Sequence, residues 1–298
     1  MKVLFVVNPI SGGVDKEPFL SEAKSYCQKY GIDCHVFKTT GNKDEKQLLE
    51  VLGEYAPDRV LSVGGDGTTL FTAKALLGKH YPIGIIPLGS ANGMATELYV
   101  NPEPMKALTD ALLSHLITGV DLLKINDEHY CIHLGDVGVN AQIVASYEQD
   151  ANRGMATYAK YFVDELTRME PFGVTVHAND STYHEEICMI GICNARKYGT
   201  GVPLNVTGNP MDGKFELVLI NQLNAGSLIK AGLAKFDETY FNFQDGRMLV
   251  TEYAEIEFDT PRLLQLDGEV IGTFKHLKVE ILPSAVQLIS HRGNLNLQ

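Results

Sequence analysis

Short, nearly continuous apolar runs alternate with helix-spaced apolar positions through the first part of the chain. Val3–Val7 is unbroken and suits a strand buried on both faces. Pro18–Tyr30 carries Phe19, Ala23 and Tyr26 at helical spacing and stops at Gly31. Cys34–Phe37 reads as a strand and Glu45–Tyr55 as a helix. Val60–Val63 is a second buried run, followed by a helix over Thr68–Leu77 that Gly78 closes. Ile83–Ile86 is a strand between Pro82 and Pro87. Met105–Thr118 is a helix, with Pro104 placed to start it and Gly119 to stop it. A strand–helix alternation of this length predicts a parallel sheet with helices on both faces. In such sheets ligands gather beyond the carboxyl ends of the strands. Three glycine-bearing turns fall there, after Val7, Val63 and Ile86.

The texture changes after about Leu122. Strand-like pieces dominate: His129–Leu134, Gly173–His177, Thr182–Cys193, Phe215–Asn221, Met248–Phe258, Arg262–Leu266 and His276–Leu282. Turn signals such as Asn179-Asp180-Ser181, Asp212-Gly213 and Asp267-Gly268 separate them. Two helices are predicted among them, Ala156–Met169 and Leu228–Phe236. The chain therefore divides into an α/β domain over 1–122 and a mostly antiparallel β domain over 123–298, whose extreme C-terminus is free to return to the first. No flexible linker marks the boundary, so close packing with a cleft is expected.

Composition narrows the function. The 298 residues are 45% apolar and 21% charged, an ordinary globular balance. A net charge of −12 argues against nucleic acid as a partner and gives no help at an anionic membrane. Five cysteines without C-x-x-C spacing predict reduced thiols and a cytoplasmic protein, not a disulfide frame or zinc site. No signal peptide or spanning run is evident.

Candidate chemistry lies in the turns. Asn8-Pro9-Ile10-Ser11-Gly12-Gly13 follows a strand, but an ordinary βα turn explains it as well. Gly64-Gly65-Asp66-Gly67-Thr68 is stronger, since a structural turn needs one glycine rather than three around an acid. Glycine lets backbone approach a ligand closely, and a helix start offers N–H groups to an anion. Pro87-Leu88-Gly89-Ser90-Ala91-Asn92-Gly93 is the third, where Ser90 or Asn92 is suited to cap a short helix. The dinucleotide fingerprint and the P-loop pattern are both absent. Asp267-Gly268 is a strong hairpin pair on its own. Histidines 133, 177 and 184 fall on strand-like segments and read as packed or surface residues.

Asn8-Pro9-x-Ser11-Gly12, Gly64-Gly65-Asp66-Gly67-Thr68, Pro87-Leu88-Gly89-Ser90-x-Asn92 and the later Leu266-Asp267-Gly268-Glu269, in this order, resemble the diacylglycerol kinase and sphingosine kinase family, whose bacterial members are soluble lipid kinases. The resemblance covers most of the chain. It implies an α/β nucleotide domain and a β-sandwich lipid domain with ATP in the cleft. Asn8, Ser11, Gly12 and the turn Gly64, Gly65, Asp66, Gly67, Thr68, Thr69 and Leu70 would cradle the nucleotide, with Ser90 and Asn92 along a third edge. One of Thr39 and Thr40 would contact the nucleotide; spacing to Asp44 favours Thr39 without excluding Thr40. Asp66, Asp267 and Glu269 would be the acidic centres, handling Mg²⁺-ATP or, for one of them, taking the proton of the lipid hydroxyl. Mg²⁺ would lie between the phosphates, Asp66 and, through water, Asp267 or Glu269. A second Mg²⁺ position would use Asp212 with the carbonyls of Asn209 and Lys214, although an ordinary Asp-Gly turn explains that loop equally well. Many members of that family carry an acid directly after the asparagine of the third turn, where this chain has Gly93.

The expected activity is thus an ATP-dependent lipid kinase acting on diacylglycerol or a related lipid at a membrane surface. The protein would be cytoplasmic and transiently membrane-associated, and a homodimer is compatible with the sequence. Tyr158, Tyr161 and Phe162 are candidates to line an apolar groove, though helix-spaced core explains them better. The alternatives are an NAD kinase-like enzyme, which would need an Asn-Glu pair this chain lacks, and a non-catalytic nucleotide-binding regulator, against which the three acids argue.

Overall fold

The structure, a computed structural model, describes residues 1–90, 92–138, 170–197, 204–205, 207–221 and 246–297. The chain divides into two compact units, Met1–Leu122 with Pro283–Gln298, and Leu123–Leu282.

In the first unit, β1 (Lys2–Val7), β2 (Asp33–Lys38), β3 (Arg59–Gly64) and β4 (Ile83–Pro87) form a parallel sheet in the order β2-β1-β3-β4. The chain adds β2 on one side of β1, then crosses to place β3 on the other. The strand order therefore reverses at β1, which makes the carboxyl ends of β1 and β3 the natural ligand crevice. Helix α1 (Glu17–Lys29) buries Phe19, Leu20, Ala23 and Cys27, a single stripe at helical spacing. It packs with α5 (Pro104–Leu113) against Val3, Phe5, Val7, Leu61, Val63 and Ile86 of the sheet. Each such aliphatic or aromatic side chain contributes roughly 2 kcal/mol on burial. Helices α2 (Asp44–Tyr55), α3 (Asp66–Ala75) and the short α4 (Gly93–Glu97) complete the unit.

Two boundaries differ from the pattern. Helix α3 begins at Asp66, not Thr68, because the amides of Thr68 and Thr69 both donate to the Gly65 carbonyl at 3.1 Å. A carboxylate in a first turn is favoured by the helix dipole. Helix α5 ends at Leu113, well before Thr118. Ser114 turns extended, and its hydroxyl accepts from the Leu116 amide and donates to the Ser290 carbonyl. Gly119 therefore lies inside β5 (Ile117–Ile125) and stops no helix.

The second unit is an antiparallel β-sandwich. Its strands are β6 (His129–Cys131), β7 (Leu134–Gly138), β8 (Phe172–Ala178), β9 (Ser181–Ile187), β10 (Met189–Cys193), β11 (Phe215–Ile220), β12 (Gly246–Thr251), β13 (Tyr253–Leu266) and the part of β14 (Glu269–Ile289) before Pro283, the rest of β14 belonging to the first unit. One run pairs β12-β11-β10-β7 with the end of β13; another pairs β9-β8 with its beginning. A register break between Glu257 and Arg262 separates those halves. Pro261 lies there, and it has no N–H for the ladder. Buried side chains of both runs, among them Ile190, Phe215, Leu217, Val174, Ile256 and Leu264, form one core. The strands predicted over His129–Leu134 and Thr182–Cys193 are each split in two, the first at Ile132-His133 and the second at Cys188. The predicted helices Ala156–Met169 and Leu228–Phe236, with Tyr158, Tyr161 and Phe162, lie outside the described residues.

Candidate active site

The three glycine-bearing turns meet at the carboxyl ends of β1, β3 and β4. Asn8 follows β1, donates its amide to the Val63 carbonyl and accepts the Ile10 amide on its side-chain oxygen. The Ser11 hydroxyl donates to the Asn8 carbonyl at 3.2 Å. Gly12 lies at φ 64°, and a Cβ there would sit 2.8 Å from the Gly89 carbonyl carbon. A Cβ on Gly89 would sit 2.2 Å from the Gly65 Cα. The first and second turns thus both press on the third, at distances only glycine permits. The Leu88 amide donates to the Gly64 carbonyl at 2.9 Å, which ties the third turn to the second. Gly67 and Ser90 are exposed at this edge, and Thr68 and Thr69 are buried beneath it.

Asp66 does not stand free in this crevice. Its two carboxylate oxygens accept the amides of Gly93 and Met94, each at 2.8 Å. The acid from α3 thus caps α4. The local candidates do not: Asn92 has left-handed backbone (φ 54°), and its side chain bridges the Gly89 amide and carbonyl at 2.8 and 3.0 Å. Ser90 makes no cap either. Gly93 contributes its N–H to Asp66.

The two threonines separate cleanly. The Thr40 hydroxyl and amide both bond Asp44 at 2.9 Å. Thr39 donates its amide to the Val7 carbonyl at 2.9 Å, at the crevice, and among the described residues its hydroxyl has no side-chain hydrogen bond.

In the second unit, Asp267 and Gly268 form a two-residue hairpin turn with φ 50° and 86°, closing the pair Leu266–Glu269. The carboxylate of Asp267 turns back under the hairpin into the break between β6 and β7. Its Oδ1 accepts the amides of His133 and Leu134 and the Cys131 thiol, at 3.0, 3.2 and 3.1 Å. Its Oδ2 accepts the Ile132 amide at 2.9 Å. Burial pushes its pKa up, and the same donors oppose that rise. The Gly268 amide donates to Gln265 Oε1, and Gln265 Nε2 donates to the buried Asp136. The turn is therefore anchored from both sides. Glu269 is exposed, and its side chain has no hydrogen-bond partner among the described residues. His133 is a core residue, and His177 and His184 bond threonines on the surface of β8 and β9.

Residues 2–125 match the diacylglycerol kinase catalytic domain, and residues 135–290 match the YegS C-terminal NAD kinase beta sandwich-like domain. The chain belongs to the diacylglycerol kinase family. It is 28% identical over 292 residues to the probable lipid kinase YegS-like of Pectobacterium atrosepticum, covering 95% of this chain and 94% of that one. Its fold matches a diacylglycerol kinase from Bacillus anthracis with a TM-score of 0.72 at 19% identity, covering 99% of this chain and 98% of the other. It also matches an NAD kinase from Archaeoglobus fulgidus in complex with ATP, with a TM-score of 0.59 at 13% identity, covering 100% and 96%. These last two likenesses are of fold.

Within this kinase family frame, the Asp212 loop has a mixed donor set. Asp212 Oδ1 accepts the Lys214 amide at 2.9 Å, and Asn209 spends its side-chain oxygen on the Met211 amide at 3.1 Å. What remains for a cation is carbonyl oxygen and one further carboxylate oxygen, a type of ligand that suits Mg²⁺. Among the described residues no group of three His, Cys, Asp or Glu converges to hold a metal. Behind the loop Glu216 is buried, and burial followed by the nearby charge of Asp212 raises its pKa to about 7.

Pattern reasoning missed Cys131 and Gln265, which grip the Asp267 turn, and Lys16, which is buried inside the first turn. Cys131 and Gln265 lie on ordinary strands and carry no local signal. Lys16 carries one: it is the cation nearest in sequence to any of the three turns.

Proposed function

We propose that this chain is an ATP-dependent lipid kinase that transfers the γ-phosphate to a hydroxyl of diacylglycerol or a related lipid. The observation that carries the reading is the meeting of three glycine turns at the strand-order reversal, in a chain matched to the family's catalytic domain. Such a rim suits a chain of phosphates, because backbone N–H groups can surround it without side-chain obstruction. Asn8, Ser11, Gly12, Gly64, Gly65, Gly67, Thr68, Thr69, Ser90 and Asn92 form that rim. Of the two threonines, Thr39 is the nucleotide contact, since Thr40 is committed to Asp44.

Phosphoryl transfer asks for alignment and charge neutralisation. The acceptor oxygen bonds the γ-phosphorus, the bond to the bridging β–γ oxygen breaks, ADP leaves, and the hydroxyl proton goes to a carboxylate. The three acids differ in their freedom to take it. Asp66 holds α4 with both oxygens, and Asp267 is bound by four donors. Among the described residues Glu269 has both oxygens free of such bonds, so it is the proton acceptor, and Asp267 fixes the turn that carries it. Mg²⁺ bound with the nucleotide supplies charge neutralisation. Each oxygen of Asp66 keeps a lone pair for a metal-bound water, and the Asp212 loop with the Asn209 and Lys214 carbonyls is the second place that fits the ion.

The acceptor is placed at a membrane surface by the chemistry of a lipid, with the enzyme visiting from the cytoplasm; among the described residues no helix is long and apolar enough to cross a membrane. The test is transfer of label from γ-labelled ATP across a panel of lipids, with NAD as a separate acceptor. Label in one lipid class, lost roughly 10²-fold or more in Glu269→Gln, supports the reading. Label in NAD alone overturns it.

A further inference from the structure

A rim that holds a triphosphate needs positive charge, and none of its three turns contains a lysine or arginine. Residues 8–14, 64–70 and 87–93 include a single charged side chain, the acid Asp66. The whole chain carries −12. The cation nearest in sequence is Lys16, and it folds into the first turn. It is 2% exposed. Its ammonium donates to the carbonyl of Ser11 and, at 2.8 Å, to that of Val14.

Among the described residues no carboxylate lies within ion-pair distance of this ammonium, although Lys38, Lys46, Lys106 and Lys124 each have one. Two carbonyls solvate a buried ammonium but leave its charge uncompensated. Burial accordingly lowers its pKa from the ordinary lysine value, with only the neighbouring Asp15 opposing. An anion arriving at the rim would compensate that charge.

The same contacts orient the turn. A planar peptide points its N–H and C=O in opposite directions. The Ser11 carbonyl faces Lys16, so the Gly12 N–H faces away from it. Gly12 and Gly13 follow with consecutive left-handed backbones, φ 64° and 63°. Turns of this kind present successive N–H groups to an anion. We propose that Lys16 is the phosphate-binding cation of the nucleotide site: its ammonium draws the carbonyls of the first turn inward, leaves the N–H groups to the phosphates, and supplies positive charge behind them. This rests on the kinase reading above and adds to it the residue that answers the charge of a nucleoside polyphosphate.

Calorimetric titration of the full chain with ATP, ADP, AMP and pyrophosphate tests this, at fixed ionic strength and without metal. Lys16→Gln keeps a donor for the carbonyls and removes the charge; Lys16→Arg keeps both. We expect Lys16→Gln to weaken ATP about tenfold, ADP less and AMP hardly at all, with Lys16→Arg close to the parent chain. The loss should shrink as salt rises. Lys16→Met, which keeps the packed stem, replaces Lys16→Gln if the latter melts early. Unchanged ATP affinity, or equal losses for AMP and ATP, overturns the role of Lys16 while leaving the kinase reading in place. A parent chain that binds no ATP overturns the kinase reading and this inference with it.

Discussion

Asp267→Asn separates an anchoring carboxylate from a reacting one. In the folded chain four donors converge on this side chain, three of them backbone amides in the break between β6 and β7. An asparagine offers one oxygen. If it keeps the Oδ1 position with its three donors, its NH₂ group faces the Ile132 amide, which is then left unpaired. A buried unpaired N–H costs about 1–3 kcal/mol, and the remaining bonds lose the reinforcement of a full charge. Relief from burying that charge, the same burial that raises the pKa of Asp267, offsets part of the loss. We expect a net destabilisation of about 2 kcal/mol, or roughly 4–8 °C in the melting of the β unit. Denaturant unfolding followed by circular dichroism gives the first figure, and calorimetry gives the second. Turnover should fall as well, because the turn carrying Glu269 loses its hold. Glu269→Gln should instead lose turnover at parental stability. If Asp267→Asn unfolds like the parent and loses only turnover, the anchor argument is wrong and Asp267 is the base.

Other predictions follow from single contacts. Gly89→Ala drives a methyl into the Gly65 backbone, so ATP binding by calorimetry should be lost or fall at least tenfold, with the first unit destabilised by roughly 2 kcal/mol or more. Thr39→Val should raise KM for ATP several-fold at unchanged melting temperature, whereas Thr40→Val should lower the melting temperature by loosening the Asp44 loop. Glu216 has a pKa raised from 4.5 to about 7, so its protonated form is favoured by folding. Its contribution is complete below the unfolded value and is lost as pH rises through about 7, on the order of 3 kcal/mol in metal-free buffer. Glu216→Gln should flatten that slope in pH-dependent unfolding; an unchanged slope would show that Glu216 is ionised throughout.

Much of the glycine-lined rim was legible from spacing. Glycine clusters after three successive strands announce close backbone approach, and the strand–helix alternation puts all three at one sheet edge. The same reading failed where a partner far away in sequence decides the outcome. Asp66 stands in the glycine turn as its pattern predicts, but the spacing gives no sign that its carboxylate binds the amides of Gly93 and Met94. Asn92 was suited to capping and is instead occupied with Gly89. The end of α5 was set by Ser114 meeting Ser290, across 176 positions. No window of neighbouring residues holds these pairings.

The sequence by itself determined the strand–helix alternation of the first unit, the family, and the turns where glycine lets backbones touch, because these depend on local sterics and on which side chains seek water. Tertiary structure alone decided which acids are free. Asp66, Asp267 and Glu269 are alike as carboxylates, but two are bound by distant amides and, among the described residues, one is left open. That difference comes from where folding brings unpaired N–H groups, and buried amides take the nearest acceptor whatever its place in the chain.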